Sequence, residues 1–429
     1  MQTAAEQEIP DEVHDEVFPS VPEPEDGSRW QAPTDLEQHL YKLSRSGNTY
    51  GYLRTLATEG VYYPVAMPAA LAAGPGEYPM LTVDTPDGRV VAQVYTAGVL
   101  PRPHPALVYE FVTLGGLATI LPEHVDVLVV NAQTPCEHFL LTDEDEREVW
   151  GDLHRELYDP DGYSDRVVTR RTGAPASHAH LHGLACGAHL CYANGDAWNT
   201  LDWHGTGYHG EVERIAESWG VNSREDWLGM QERLLGREVS PWVWDFVLGA
   251  RSALIQAGHG HPVDPAAWRN CVESTLRDQF DETGSGFDEA VRKMRGLVGE
   301  VLRYEARFRA DGLLPPDGYV RTVAAWDLGR ASKMARWGRG ARYATEAEMH
   351  EAVAAAGRAA RAAYGSWEEF SAGYVLGRCL HFDEERFGSW YTEVLEAHRA
   401  LTTDPDSPWL TVPFDLASDG SGGAQAAQC

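Results

Sequence analysis

The spacing of apolar residues changes along the chain and divides it into two parts. Within residues 34–158, "LEQHLYKL" and "TYGYLRTLA" carry apolar residues three and four positions apart, which predicts helices. "VYYPVAM" and "VDVLVVNA" are short, nearly continuous apolar runs, which are typical of strands. Asp87-Gly88 separates two β-rich runs and predicts a hairpin. This part is therefore predicted to be a small mixed α/β domain.

Two more segments of this part are predicted to be helical. One is the apolar stretch "ALVYEFVTLGGLATIL". The other is "EREVWGDLHREL", which follows the capping-box pattern Thr142-Asp143-Glu144-Asp145.

Beyond residue 176 the strand signals nearly vanish and helical periodicity dominates. "HGEVERIAESWG", "SREDWLGMQERLL" and "TEAEMHEAVAAAGRAARAAY" are amphipathic at helical spacing. Of the 14 tryptophans, 12 lie in this part. Large aromatic side chains fill cores more often than they line ligand pockets, so most of these tryptophans are predicted to be core residues.

The predicted fold class is α+β with two domains. A small mixed α/β N-terminal domain covers residues 29–158, and a larger all-α helical domain covers residues 177–416. The polar segment 159–176, with its glycines and prolines, is predicted to be a linker. Residues 1–28 carry nine acidic residues and no lysine or arginine, which predicts a disordered acidic tail. Residues 417–429 are predicted to be a flexible tail.

The charge of the chain narrows the classes of partner. Its 35 basic and 65 acidic side chains give a formal net charge of −30. Such a surface repels nucleic acid and anionic lipid, so neither is a predicted partner, whereas a protein partner is expected. No run of 18 apolar residues predicts a membrane span, and residues 1–28 lack the basic start of a signal peptide. The predicted location is the cytoplasm, and the arginine- and alanine-rich composition, with its GC-rich codons, favours a bacterial source.

The N-terminal part resembles the SseB N-terminal domain family. The resemblance rests on "YLRTLATEGVYYPV", then "PMLTVDTPDGRVVAQVYT", then "LPEHVDVLVVNA". The family has Thr-Ser and Asn-Pro where this chain has Thr96-Ala97 and Asn131-Ala132. The resemblance covers about 120 residues and implies a small α/β unit.

The C-terminal part resembles the bacterial domain-of-unknown-function family 1266 over nearly all of residues 183–415. Five motifs occur in order: "LACGAHLCYANG", "SWGVNSREDWLGMQERLL", "AAWDLGRASKMARWG", "SWEEFSAGYVLGR" and "DPDSPWLTVPF". This resemblance implies an all-helical domain of unknown activity. The two resemblances together suggest a recruiting module joined to a functional or sensing module.

A histidine cluster, His178, His180 and His182, follows the predicted linker. In an extended segment the three imidazoles would share one face and would be able to bind zinc. The segment lacks HExxH and paired CxxC spacing, so surface or core histidines are the favoured interpretation and no metal is predicted.

The preferred candidate site lies in "AWDLGRASKMARWGRGAR". Asp327 and Arg330 are three residues apart and able to pair on one helix face, and Trp326 is placed for an arginine stack. Trp337 and Arg378 complete the candidate ligand site. The alternative is an internal ion pair that fixes helix register.

The same helix carries a basic stripe. Arg330, Lys333, Arg336, Arg339 and Arg342 recur every three residues. Phosphate or an acidic partner would suit this stripe, and pairing with the chain's own carboxylates is the alternative.

No cofactor is predicted, because the sequence contains no GxSxG, Walker loop or GxGxxG that opens a βαβ unit. The leading hypothesis is a non-enzymatic interaction or accessory protein, with its process left open among secretion, toxin–immunity and stress systems. The alternative is an enzyme or small-ligand sensor with a polar site around Asp327, Arg330 and Arg378. A third hypothesis is a zinc-dependent hydrolase that uses the histidine cluster.

Overall fold

The computed structural model describes residues 30–72, 80–160, 162, 164–172, 177–202, 205–279 and 285–415. The two predicted tails, 1–28 and 417–429, lie outside these residues. Within the described ranges the chain is mixed α/β, with a small sheet region at its N-terminal end and a helical C-terminal region.

The N-terminal region alternates helices and strands, as the changing periodicity predicts. Its elements are α1 (Asp35–Arg45), α2 (Thr49–Glu59), β1 (Val61–Ala66), α3 (Met67–Ala72), β2 (Thr82–Asp84), β3 (Val90–Val94), a 3₁₀ turn (Ala97–Val99), β4 (Leu107–Val112), α4 (Leu114–Ile120), β5 (Val127–Val130), β6 (His138–Leu141) and α5 (Glu144–Leu157).

The strands form two small sheets. Strands β1 and β4 pair antiparallel, and the other sheet has the order β2-β3-β5-β6. Only β3 and β5 are parallel, with Ala92 opposite Leu128 and Val94 opposite Val130. These four side chains are fully buried and pack against the apolar faces of the surrounding helices. The predicted hairpin at Asp87-Gly88 is confirmed, and it joins β2 to β3.

Two local predictions are wrong. The first half of "ALVYEFVTLGGLATIL" is strand β4 and only the second half is helical, because β-branched and aromatic residues pair with β1 before Thr113 caps α4 through the Gly116 N–H. The cap of α5 is Asp143, which accepts from the Glu146 N–H, whereas the Thr142 hydroxyl donates to the Val125 carbonyl.

The C-terminal region consists, in its described residues, of helices joined by loops, with α13 at their centre. Its helices are α6 (His178–Cys186), α7 (Ala188–Asn194), α8 (Tyr208–Trp219), α9 (Arg224–Leu235), α10 (Trp242–Leu254), α11 (Pro265–Gln279), α12 (Ser285–Ala310), α13 (Ala324–Gly340), α14 (Glu346–Ala363), α15 (Trp367–Phe382), α16 (Ser389–Thr403) and α17 (Pro408–Thr411). A π-helical turn, Ile255–His259, extends α10.

Helix α13 is buried along nearly its whole length, which requires small residues where neighbouring helices cross it. A Cβ on Gly338 would lie 2.0 Å from Nε1 of Trp227, whose indole N–H donates to the Met334 carbonyl at 3.0 Å. Trp227 and most other tryptophans of this region are buried, whereas Trp242 is 55% exposed. Core packing is therefore their main role.

The two regions contact each other directly. The His209 ring, at the start of α8, pairs with Glu110 of β4 at 2.8 Å. Arg342, just after α13, donates to the carbonyls of His104 and Leu107 at 3.0 and 2.6 Å. The division into two separate domains stays a prediction, because these bonds join the regions. Among the described residues, no helix has both the length and the apolar character that crossing a membrane requires.

Candidate functional site

The predicted pair on α13 is formed, and its carboxylate is fully hydrogen-bonded. Asp327 and Arg330 lie one turn apart and form an ion pair. Asp327 also accepts the backbone N–H groups of Val239 and Ser240, at 3.2 and 3.1 Å, and the Ser240 hydroxyl at 2.7 Å. Asp327 therefore accepts from four donors, and through three of them it links the first turn of α13 to the segment before α10. This arrangement is typical of a structural polar cluster.

Of the other residues predicted for this site, Trp326 is in place and Arg378 is not. The Arg330 guanidinium lies 4.2 Å from the centre of the Trp326 ring, and burial lowers the pKa of Arg330. Trp337 contacts this group only through Trp219, which lies under Arg330 at 5.4 Å. Arg378 does not pair with Asp327, although it and Arg330 both interact with Tyr374, which packs on Trp326. Arg378 donates to Glu393 at 2.9 Å and stacks on Trp390.

The three predicted histidines do not share a face. They lie on helix α6 and not on an extended segment, because Ser177 caps a helix that begins at His178. His182 is fully buried and bonded to the Phe414 carbonyl, and burial lowers its pKa to about 4. His180 pairs with the Ser177 hydroxyl. Across the part of the chain that the structure describes, no group of three potential metal ligands is found.

The basic stripe on α13 points largely into the protein. Lys333, only 1% exposed, pairs with Asp196. Arg336 donates to the Ala197 carbonyl at 2.6 Å. Arg330 and Lys333 pair with the chain's own carboxylates, as the alternative expects, whereas Arg336 and Arg342 donate to backbone carbonyls.

A larger polar site lies between the two regions. A cleft of about 780 Å³ is lined by the start of α1, the 3₁₀ turn, the segment 164–171, the end of α7, Arg214 of α8 and Asp406. This volume falls within the range of small-molecule sites. No single helix or strand forms it, because its walls come from segments that are far apart in sequence.

The predicted linker forms one wall of the cleft and is bonded on both sides. Arg166 forms a bidentate ion pair with Glu59 at 3.3 and 3.1 Å, and Arg171 forms an ion pair with Asp35 at 2.7 Å. Val168 forms a bridge with Ala197 of the helical region. Residues 164–172 therefore belong to the interface between the two regions, because Arg166 and Arg171 form ion pairs with carboxylates of the N-terminal region.

Arg170 occupies the middle of this wall. Its backbone N–H donates to the Asn199 side chain and one guanidinium nitrogen donates to the Gly98 carbonyl, both at 2.8 Å. The buried Nε has no acceptor among the described residues. Burial lowers the pKa of Arg170, against the opposing charges of Glu37 and Asp202.

The floor of the cleft carries buried charges. Burial opposes ionisation of Asp196, but Lys333, Arg336 and Arg214 outweigh it and lower its pKa. Glu211 lies beside them and accepts the Thr206 N–H and hydroxyl through Oε1. Its Oε2 is buried without a partner among the described residues, and burial raises the pKa of Glu211.

Arg214 is half-buried on the cleft wall and makes no hydrogen bond or ion pair within the described ranges. Its guanidinium lies 6.0 Å from the centre of the Trp337 ring. An arginine with five donors and no acceptor differs from Arg330 and Lys333, whose charges are matched inside the fold.

Sequence reasoning placed the linker arginines in a flexible context and so missed the cleft. One signal was present. Arg166, Arg170 and Arg171 fall within six residues, in a chain where acidic side chains outnumber basic ones by 65 to 35. Arg214 gave no signal, because nothing in "HGEVERIAESWG" separates it from an ordinary surface residue.

Residues 214–414 match a family described as a protein of unknown function, DUF1266. This DUF1266 domain begins at Arg214 and includes α13 with the Asp327 cluster. The earlier motif "LACGAHLCYANG", the linker arginines and Asp196 lie ahead of it. The cleft is thus built largely from residues that precede the domain. The match does not reach the N-terminal region, so the SseB resemblance stays a prediction.

No curated protein and no solved structure matches the chain.

Proposed function

We propose that this protein is a non-enzymatic accessory protein that binds a small polar ligand in the cleft between its two regions. The observation that carries the proposal is the cleft itself. Its volume of about 780 Å³ suits a small molecule, and both regions supply polar side chains to its walls. In this proposal the ligand binds in the cleft and not at the site predicted around Asp327.

The Asp327 cluster supports a structural role better than a binding role. The four donors on its carboxylate leave it little capacity to bind a further group. By contrast, the cleft joins the SseB-like part to the DUF1266 domain, so a bound ligand would contact both. In this proposal, binding in the cytoplasm stabilises the contact between the regions and thereby presents a surface to a protein partner.

The test is to fill the cleft. Ala193, at the end of α7, lines the cleft and is half-buried. Ala193→Trp places a large side chain in it, and Thr55→Phe does so from the opposite region. The matched control is Ala362→Trp, at an exposed position of α14 outside the cleft.

Each full-length variant is dialysed to equilibrium against a defined mixture of orthophosphate, pyrophosphate, citrate, glutamate, glucose and spermidine. We expect the wild type and Ala362→Trp to concentrate at least one compound, and a folded cleft-filled variant to lose that retention. Equal retention by all variants, or none by the wild type, would overturn the proposal.

A further inference from the structure

The cleft contains more hydrogen-bond donors than the fold uses. Arg214 has no hydrogen bond or ion pair to the described residues, and the buried Nε atoms of Arg166 and Arg170 have no acceptor there. A buried donor without an acceptor is costly, so native proteins leave few of them. Arg214 is only half-buried, but with the buried Nε atoms of Arg166 and Arg170 it makes three arginines along one cleft whose donors the described residues do not satisfy, which indicates that acceptors come from outside the chain.

The neighbouring carboxylates are already engaged. Glu37 accepts from the hydroxyls of Thr34 and Thr96 and from the Gly98 N–H. Glu59 holds Arg166, and Asp196 holds Lys333. None of these carboxylates forms an ion pair with Arg170 or Arg214, although Glu37 interacts electrostatically with Arg170 and Asp196 does so with Arg214.

Glu211 does not fill this role either. Its carboxyl lies close enough to Arg214 to interact electrostatically, but the two do not form an ion pair. Burial raises the pKa of Glu211 and so favours its uncharged form. Arg170 and Arg214 thus line the same cleft, and neither forms an ion pair with a carboxylate among the described residues.

We propose that the ligand of the cleft carries an oxyanion group, a carboxylate or a phosphate, and that Arg170 and Arg214 bind it from the two sides. Arg170 contacts the N-terminal region through the Gly98 carbonyl, and Arg214 belongs to α8 of the helical region. A guanidinium is planar and presents parallel N–H donors, so it is able to bind two oxygens of an oxyanion in a bidentate arrangement. The inference rests on the proposed function, since it names the class of ligand for the same cleft.

The surface charge favours a small anion over a nucleic acid. The acidic exterior repels a polyanion at long range. A small anion carries few charges, and salt screens its repulsion by the exterior, so it can reach arginines inside a cleft. The test therefore uses two small anions of different chemistry, inorganic pyrophosphate and citrate.

The measurement is isothermal titration of full-length protein with each anion. Arg214→Gln is the primary variant, because Arg214 has no bond to the described residues that its loss would break. Arg170→Gln is the second, and it also removes the bond to Gly98. Arg358→Gln removes one positive charge from an exposed surface pair and is the control.

We expect saturable binding of pyrophosphate, citrate or both by the wild type and by Arg358→Gln. Loss of one charged contact should weaken binding by about tenfold or more in Arg214→Gln and Arg170→Gln. The anion that binds more tightly distinguishes a phosphate site from a carboxylate site. Failure of both anions to bind the wild type, or equal binding by wild type and Arg214→Gln, would overturn the inference.

The failure of this inference can be told from the failure of the proposed function. If the cleft retains glucose or spermidine, loses it in Ala193→Trp and keeps it in Arg214→Gln, the cleft binds a ligand and the oxyanion inference is wrong. If Ala193→Trp changes the retention of no compound, the proposed function itself is wrong.

Discussion

Two polar clusters in this molecule contain an arginine close to carboxylates, and they differ in whether the fold satisfies them. Around Asp327, the carboxylate accepts four hydrogen bonds and Arg330 is paired and stacked on Trp326. In the cleft, Arg214 forms no hydrogen bond or ion pair with any residue that the structure describes, and Arg170 is only partly bonded. A cluster whose polar groups are all hydrogen-bonded within the chain stabilises the fold. A cluster whose donors lack acceptors within the chain is suited to stabilising a complex with a ligand.

The energetic consequences differ in the same way. Removing one member of a buried ion pair leaves the other charge without compensation, which costs about 3–5 kcal/mol. Removing a donor that has no acceptor relieves a penalty or changes little. Substitutions in the two clusters should therefore act on stability with very different sizes, and the predictions below run from the largest effect to the smallest.

The largest effect is expected for Asp327→Asn. The neutral asparagine cannot balance the charge of Arg330, a residue that is only 7% exposed. Its amide NH₂ would also face the backbone N–H donors of Val239 and Ser240. A loss of about 3–5 kcal/mol corresponds to a fall in Tm on the order of 10 °C. Thermal unfolding by circular dichroism measures it.

The control for this substitution is Asp152→Asn, which removes an exposed pair with Arg155. Its Tm should stay within the error of the measurement, because exposed ion pairs contribute little. If Asp327→Asn is as stable as this control, the contrast between the clusters is wrong and the Asp327 group becomes the better candidate for a ligand site.

The next effect concerns the contact between the regions. Arg342→Met leaves the carbonyls of His104 and Leu107 without their donor, at a cost of about 2 kcal/mol. Hydrogen exchange should become faster in β4, and Tm should fall. Arg339→Met, a half-buried neighbour with no hydrogen bond in the described chain, is the control. Unchanged exchange in β4 would mean that Arg342 does not hold the regions together.

A smaller, pH-dependent effect is expected for Glu211. Its folded pKa is raised by burial, so the folded state holds the proton more tightly than the unfolded state does. Stability associated with the protonated carboxyl is present below the unfolded pKa of about 4.3 and is lost as pH rises through the folded pKa. Glu211→Gln removes this titration, so its Tm should gain on the wild type as the pH rises from about 4 through the folded pKa of Glu211.

The exposed neighbour Glu213 on the same helix supplies the control, Glu213→Gln. The difference in Tm between this variant and the wild type should not change with pH in the same range. A constant difference for Glu211→Gln as well would show that Glu211 does not titrate with a raised pKa.

Short-range sequence patterns predicted what depends on neighbours along the chain. The Asp327–Arg330 pair follows from their separation of three residues on a helix, and β5 follows from its apolar run. Such features need only local geometry. Strand β4 was mistaken for helix because its pairing with β1, more than 40 residues earlier in the chain, decides its conformation.

The cleft could not be predicted for a related reason. Arg170 and Arg214 are 44 positions apart, and their common cleft is set by how α8 and the segment 164–171 pack against the N-terminal region. Lys333 shows the same limit. Its place in a basic stripe left both an anion site and internal pairing open, and the burial of α13, which turns Lys333 toward Asp196, decides for internal pairing.

The most direct test of the central claim is thermal unfolding of the wild type and Arg214→Gln, each with and without the anion, pyrophosphate or citrate, that binds the wild type more tightly. Arg214 makes no hydrogen bond or ion pair to the described residues and only weaker interactions with Asp196, Glu211 and the Trp337 ring, so without the anion its loss should lower Tm by less than the loss of Arg342 does. The anion should raise the Tm of the wild type clearly more than that of Arg214→Gln, because a ligand that binds only the folded state stabilises it in proportion to the logarithm of its affinity. An equal rise in both proteins, or a fall in Tm from Arg214→Gln alone as large as that from Arg342→Met, would contradict the account.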